Sequence, residues 1–496
     1  MVAPTEAQIV EAVKAELAQD SFTFDLSQQD ELIRLLATLE LEHDWDSIPS
    51  KKFATILSKH SIIASPSTTN GEPTASSSAG GKKKKKKSKS DTTIPKSFID
   101  TTIPLPPGIR SEYFDPIKGK GLVATRAFPR GELLFTEDAY VPTPPPEAFD
   151  QMSSGELCAQ CFLPISSAPV ALAVKNCNKC KYRFCTSACW KQAMATHHTL
   201  LCTGMNVEAN ELMRLIGQHK WQSLHSVARS LARLLTTLTD GYQGEGWKRT
   251  GGKGEDLTDT YGDFDTVYAR LSSFATVSEL ERRSRNPGWS TEKSSFEAIL
   301  SSAHTALCTA LDPSSPSQNP KFTLTPTQTS LLQPLFTLPS FLKLLGRSNI
   351  NMEKFGGLYS LHSFLNHSCS PNVEIRHVPQ RGILASMKIA ALALRDIQPG
   401  EELVISYIDP TTRLGRRQLL LYRDYCFGPC TCSKCTAELA ELSLVYDPKK
   451  HGVKGFLDSV ARKTGADAEQ AAAAPQHAKN GEDANLEEEL RASLGF

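Results

Sequence analysis

The chain has 496 residues, 40% of them hydrophobic, and a formal net charge of +1; it is too long for one compact core, and its overall charge gives no reason to expect a nucleic-acid or anionic-membrane partner. No run approaches the ~18 apolar residues of a membrane helix, and acids interrupt the N-terminal stretch where a signal peptide needs an apolar core, so a soluble intracellular chain with no membrane partner is expected. Thirteen cysteines are few for a disulfide scaffold of this size, and their spacing points to metal.

In chain order, residues 1–63 show helical periodicity, with Ile9, Val10, Val13, Leu17 and then Leu32, Leu35, Leu36, Leu39 at three- and four-residue steps, which predicts a small helical domain. Residues 64–95 hold almost no large apolar side chain and predict a disordered Ser- and Lys-rich linker. Its run Lys82–Lys89 can make weak contact with phosphates or serve as a nuclear address; a plain solvated linker is the competing reading. From 96 to about 435 the chain reads as globular, with β-like runs "GLVATRA", "GILASMKIA" and "EELVISYI", and with a mostly helical stretch over 203–345. The tail, 446–496, is rich in Ala, Glu, Lys and Asn and is expected to be largely disordered.

Between 158 and 202 the cysteines form regular pairs: Cys158 and Cys161, Cys177 and Cys180, Cys185 and Cys189, then His198 and Cys202. Eight soft ligands suffice for two tetrahedral zinc sites. The last two pairs are four residues apart, a spacing that on a helix puts both side chains on one face, and it selects His198 over His197. Cys430, Cys432 and Cys435 supply three ligands of a third site. Its fourth ligand is expected from Cys369, since Cys308 sits in a helical-looking segment and Cys426 is out of step with the triplet.

Three motifs then stand together: "KGKGLVATRAFPRGELLF" (118–135), "GLYSLHSFLNHSCSPN" (357–372) with "PGEELVISYID" (399–409), and "YCFGPCTCSKC" (425–435). With the cysteine block, they resemble the SET-and-MYND protein lysine methyltransferases, and fungal SET-domain histone-lysine methyltransferases in particular. The resemblance implies an α+β fold: a SET-domain β-fold with a pseudoknot, split by a MYND zinc finger and a helical insertion, and closed by a post-SET zinc site. The expected segments are 105–157 (SET N-terminal part), 158–202 (finger), 203–345 (helical insertion), 346–410 (SET core) and 411–436 (post-SET). The family pattern pairs Cys158, Cys161, Cys185 and Cys189 on one zinc, Cys177, Cys180, His198 and Cys202 on a second, and Cys369 with the later triplet on a third.

The same resemblance implies S-adenosylmethionine as cofactor and a protein substrate, histones by family, with partner peptides on the finger and a nuclear and cytoplasmic location. Lys118, Gly119, Gly121, Asn351, Ser363, Asn366, His367, Tyr407 and Phe427 would contact the cofactor, and Tyr407 and Tyr425 would be catalytic. Whether Asn349 or Asn351 is the upstream asparagine stays open, with Asn351 favoured. Each residue also has a plainer role open to it: glycines punctuate turns, Asn and His cap them, and a tyrosine in an alternating strand packs on a core. A rival function follows, a SET and MYND scaffold of weak or no activity that recruits partner proteins to chromatin.

Overall fold

The computed structural model describes residues 4–17, 35–36, 39, 43, 48, 50–60, 62, 94–167, 174–238, 262–286, 288–315, 324–353, 356–377, 387–447 and 452–464. The chain divides into two compact units, Met1–Lys89 and Ser90–Phe496. In the first, helices Glu6–Leu17 and Ser50–Lys59 bury Ile9, Val10 and Val13 with Leu35, Leu36, Leu39, Phe53, Ile56 and Leu57. A capping box starts the first helix, since Thr5 and Gln8 exchange side-chain to backbone hydrogen bonds. Leu32 and the Lys82–Lys89 run lie outside the described residues, as does the expected linker up to residue 93.

The second unit is built on two small sheets. Strands β1 (Ile109–Asp115), β2 (Gly119–Ala124) and β3 (Leu133–Asp138) come first; β4 (Lys175–Asn176) and β5 (Arg183–Phe184) form a ribbon in the cysteine-rich segment. Then follow β6 (Asn366–His367), β7 (Val373–His377), β8 (Lys388–Ala393) and β9 (Glu402–Ile405). One sheet runs β1-β2-β9-β6 and the other β3-β8-β7. β2 is buried along its whole length, so its small and branched residues pack on both faces. Leu122, Phe128, Phe135, Phe364, Leu365, Ala391, Leu403 and Ile405 form the core under both sheets. The pairing of β6 with β9 is parallel, Asn366 against Val404 and His367 against Ile405, although β2 lies antiparallel on the other side of β9. Ser368 and Asn372 also donate backbone N–H groups to Ile405 and Val404, so the heptapeptide 366–372 clings to β9 at both ends.

Between β3 and β6 the chain leaves the sheets for the cysteine-rich segment and the helices Ala209–His219, Gln222–Thr236, Phe264–Ser273, Trp289–Leu311 and Leu338–Asn351. Helix Gln222–Thr236 is buried on nearly every face and forms the axis of this bundle. The cysteine-rich segment has no separate core: Cys158, Phe184, Leu200 and Leu201 join one cluster with Leu224, Leu231 and Phe341 of the helices.

Two features depart from the expected boundaries. Residues just before 105 already belong to the sheets' surroundings, because Lys96 pairs with Thr276 and Ser97 is buried against Gly119. The tail is not uniformly without structure either. Helix Val453–Thr464 buries Phe456 and Val460 with Leu414 and Leu421, and Tyr446 lies with its ring centroid 5.0 Å from that of Phe456. The compositional reading missed it because three apolar residues, spaced along one helical stripe, suffice when a ready-made face receives them.

Candidate active site

The heptapeptide turns its polar groups to different tasks. Asn366 donates both hydrogens of its side-chain amide, to the Lys120 carbonyl and to Glu402 Oε1, each at 3.0 Å. The second Glu402 oxygen pairs with the Lys118 ammonium, which also sits 4.3 Å above the Phe114 ring. With its donors committed, Asn366 keeps only Oδ1 for a ligand. Asn372 is almost wholly buried and clamps β9 by donating to the Glu402 carbonyl and accepting from the Val404 N–H, both at 2.8 Å. Gly121 must be glycine here, since a Cβ would meet Phe114 at 2.4 Å and Asn366 Nδ2 at 2.9 Å. Gly119 takes a left-handed φ of 73° and crowds Ser97 in the same way.

His367 points toward the cysteines. Its Nδ1 accepts from the Tyr407 N–H at 3.0 Å, so the neutral ring carries its proton on Nε2, which lies 3.3 Å from Cys369 Sγ. Burial pushes its pKa down to about 4 against the pull of Cys432, which keeps the ring neutral. Tyr407 donates its hydroxyl to the Leu365 carbonyl at 2.7 Å, and Tyr425 donates its own to the Tyr407 carbonyl at 2.9 Å. The two tyrosine rings stand 4.8 Å apart, with His367 at 5.3 Å from Tyr407 and Phe427 closing the group edge-on at 6.3 Å. Burial pushes both phenols well above their ordinary range, so neither is an anion near neutrality.

Three sequence candidates are used differently from the rest. Asn351 ends its helix and donates its amide to the carbonyls of Ala275 and Arg347, at 2.7 and 2.8 Å, while Asn349 donates to the buried Glu279. Ser363 donates to the Ser360 carbonyl and accepts from Lys120 Nζ, so its hydroxyl is spent inside the protein. Glu402, Asn372, Lys120 and Glu137 escaped the sequence reading. A polar residue ordinarily signals solvent, and nothing in the spacing reveals partners that lie from 30 residues away, as for Asn372 and Glu402, to more than 200, as for Glu137 and Leu361.

The thiols and one imidazole gather in three clusters, each with its ligand atoms within 4.8 Å of one another: Cys158, Cys161, Cys185 and Cys189; Cys177, Cys180, His198 and Cys202; Cys369, Cys430, Cys432 and Cys435. The spacing argument holds for His198 and Cys202, which are joined by a helical hydrogen bond of 2.7 Å. It fails for Cys185, which precedes helix Ser187–Ala193; there Thr186 caps the helix by accepting from the Cys189 N–H, and the turn before the cap brings the two sulfurs within 3.6 Å. Packed this closely, thiols oppose one another's ionisation: Cys158 is pushed down by its three neighbours while Cys161 is pushed up, first by Cys158. A divalent cation relieves that conflict, and four soft donors around one point fit zinc. The third cluster has further support from Arg417, whose guanidinium lies 3.7 Å from Cys435 Sγ, and from Gln418, which bonds the backbone of Cys430 in both directions.

A family model for the SET domain matches residues 119–408. The chain belongs to the SET domain family. It is 66% identical over 507 residues, spanning 100% of both chains, to a protein of Mycosarcoma maydis named histone-lysine N-methyltransferase SET5. It is 25% identical to the protein-lysine N-trimethyltransferase SMYD5 of Mus musculus, over 66% of this chain and 87% of that one. Among solved structures, the SET domain of LSMT bound to lysine and AdoHcy aligns with 67% of this chain and 54% of its own, at 11% identity and a TM-score of 0.29, too low to bear on the site.

Proposed function

We propose that the chain is an S-adenosylmethionine-dependent protein-lysine N-methyltransferase that acts on histone tails. The observation that carries this reading is the Tyr407 hydroxyl, held by the Leu365 carbonyl at 2.7 Å among the rings of His367, Tyr425 and Phe427. The name of the relative that is 66% identical supports the substrate class.

S-adenosylmethionine, when bound, supplies a methyl group on a sulfonium; the N–C bond forms as the C–S bond breaks, and the thioether leaves with the bonding pair. Lys118, Gly119, Gly121, Asn366, His367 and Phe427 are the residues that would hold the donor, while Asn351 and Ser363 spend their side-chain hydrogen bonds inside the protein. Asn366 Oδ1, left over by the two internal hydrogen bonds, suits a cationic group. The substrate amine must arrive neutral, and removal from water beside the positive sulfonium would disfavour its charged form. Tyr407 has already committed its proton to Leu365, so its oxygen accepts from the amine and aims the nitrogen lone pair. Because its pKa is pushed up, Tyr407 orients the amine and is not a general base. Tyr425 fixes Tyr407 through the 2.9 Å bond to its carbonyl and forms a second wall.

The three clusters each hold one structural zinc ion in this reading, with four protein ligands and no open position. The first two make a MYND-type finger able to take partner peptides, and the Lys82–Lys89 run acts as a nuclear address, with a share of the protein in the cytoplasm. The test is incubation of purified protein with labelled S-adenosylmethionine and histones or a proteome extract, followed by mass spectrometry of the modified lysines. Methylated lysine in a histone is the expected result; label that reaches no protein leaves the scaffold reading in its place.

A further inference from the structure

The turn that delivers Asn366 is gripped by two buried polar side chains from different strands. It comprises Ser360 and Leu361 and the short 3-10 helix His362–Phe364, and its next residues are Leu365, the partner of Tyr407, and Asn366. On one side Glu137, from β3, accepts the Leu361 N–H on Oε1 at 2.8 Å and the His362 N–H on Oε2 at 2.9 Å, with the Ser360 N–H also within its reach. Those donors have no partner within so short a helix, and the carboxylate supplies one. On the other side Lys120, from β2, donates to Ser363 Oγ at 3.0 Å and to the Ser273 carbonyl at 2.9 Å, with Nζ 3.9 Å above the Phe364 ring. Lys120 is only 2% exposed, and a buried amine without acceptors is costly, so these bonds hold it in place. The backbone carbonyl of the same lysine receives the Asn366 amide.

We infer that Lys120 and Glu137 are positioning residues for methyl transfer: together they clasp the turn 360–364, and through it they set Asn366 against the donor and the Leu365 carbonyl against Tyr407. This rests on the function proposed above. Neither side chain touches the reacting atoms; each acts by fixing where the next residues stand. The clasp also ties the helical bundle to the site, because Ser273 ends helix Phe264–Ser273. A freed turn keeps the fold, which rests on Leu361, Phe364 and Leu365 in the core, but it no longer holds Asn366 in register. Such displacements of a binding group lower affinity for the donor specifically.

Three variants of the full chain test this: Lys120→Met, which keeps the stem and removes the donors; Ser363→Ala, which removes one acceptor without altering any charge; and Glu137→Gln, which keeps the shape and loses one acceptor oxygen. Affinity for S-adenosylmethionine is read by calorimetry and the two KM values by steady-state assay. Each variant is expected to weaken donor binding roughly tenfold and raise the donor KM alike, with the peptide KM unchanged, by analogy with losses from outer positions around a site. Ser363→Ala, the mildest, keeps the test decisive if Lys120→Met folds poorly. Donor affinity within twofold of the unaltered chain in all folded variants, with any loss of turnover tracking the folded fraction, overturns the inference alone. An unaltered chain that binds no donor overturns the proposed function and this inference with it.

Discussion

At the residue scale the proposed function turns on the hydroxyl of Tyr407. Tyr407→Phe keeps the ring stack with Tyr425 at 4.8 Å and removes only the bond to Leu365 and the acceptor offered to the amine. Turnover is expected to fall roughly 10²-fold with donor affinity near that of the parent, far more than the modest drop in melting temperature expected from leaving the buried Leu365 carbonyl without its donor. Near-normal turnover in single-turnover assays would reduce Tyr407 to a packing residue. Lys120 supports a second prediction, on stability. Burial pushes its pKa from 10.5 down to about 7, against Asp100 and Glu137, which pull it up, and with Arg347, which pushes it further down. Between those values the unfolded chain binds a proton that the native chain has shed, so this residue makes stability rise with pH from about 7 toward 10.5. Lys120→Met removes that contribution, and the stability gap between parent and variant, measured by denaturant titration, should move in the parent's favour from pH 7 to pH 9. A gap that stays constant across that interval would mean that Lys120 does not titrate there.

At the element scale, the segments with a period or a fixed spacing were legible in the sequence, and those held by distant partners were not. "EELVISYI" alternates and becomes β9; "GLVATRA" supplies β2; the cysteine pairs form the first two clusters. What stayed hidden was the parallel seat of Asn366–His367 beside β9, since two residues show no periodicity, and the clamps by Asn372 and Glu402. The Cys185–Cys189 pair shows how the same thiol grouping can arise from a different local picture: a cap turn does what a helix face was expected to do. Helix Val453–Thr464 was hidden for a related reason, being amphipathic only with respect to a face that helix Leu414–Asp424 presents. That face leads directly to Tyr425 and Phe427. Truncation after residue 452 is therefore expected to lower the melting temperature and reduce activity more than it reduces binding of the donor, because Phe427 and Tyr425 lose their backing while Asn366 keeps its clamps. A truncated chain with parental turnover and melting temperature would make this helix an appendage. Cys369→Ser acts on the same region from the other side: it should cost one zinc of three by elemental analysis and leave the first two clusters loaded, since no ligand is shared among them.

For the whole molecule, the cysteine-rich segment and the helical bundle share one core, although the sequence suggests a finger inserted as a module. Arg229 makes the case. Fully buried in helix Gln222–Thr236, it donates to the Pro142 carbonyl, which follows β3, and to the Ala159 carbonyl, inside the first cluster, at 2.9 and 3.0 Å; its Nε lies 2.9 Å from His225. One guanidinium thus satisfies acceptors from three parts of the chain, in a core they share. Removing it leaves two buried carbonyls unpaired, at a cost on the order of 1–3 kcal/mol each. Arg229→Met is therefore expected to lower the melting temperature of the whole second unit in a single transition. Zinc release, followed with a chromogenic chelator during heating, should coincide with that transition in both parent and variant, because the first two clusters cannot open without breaking the common core. If the variant instead releases two zinc ions well below the temperature at which its helical signal is lost, the finger is an independent module, and Arg229 serves only as a joint between separately folded parts.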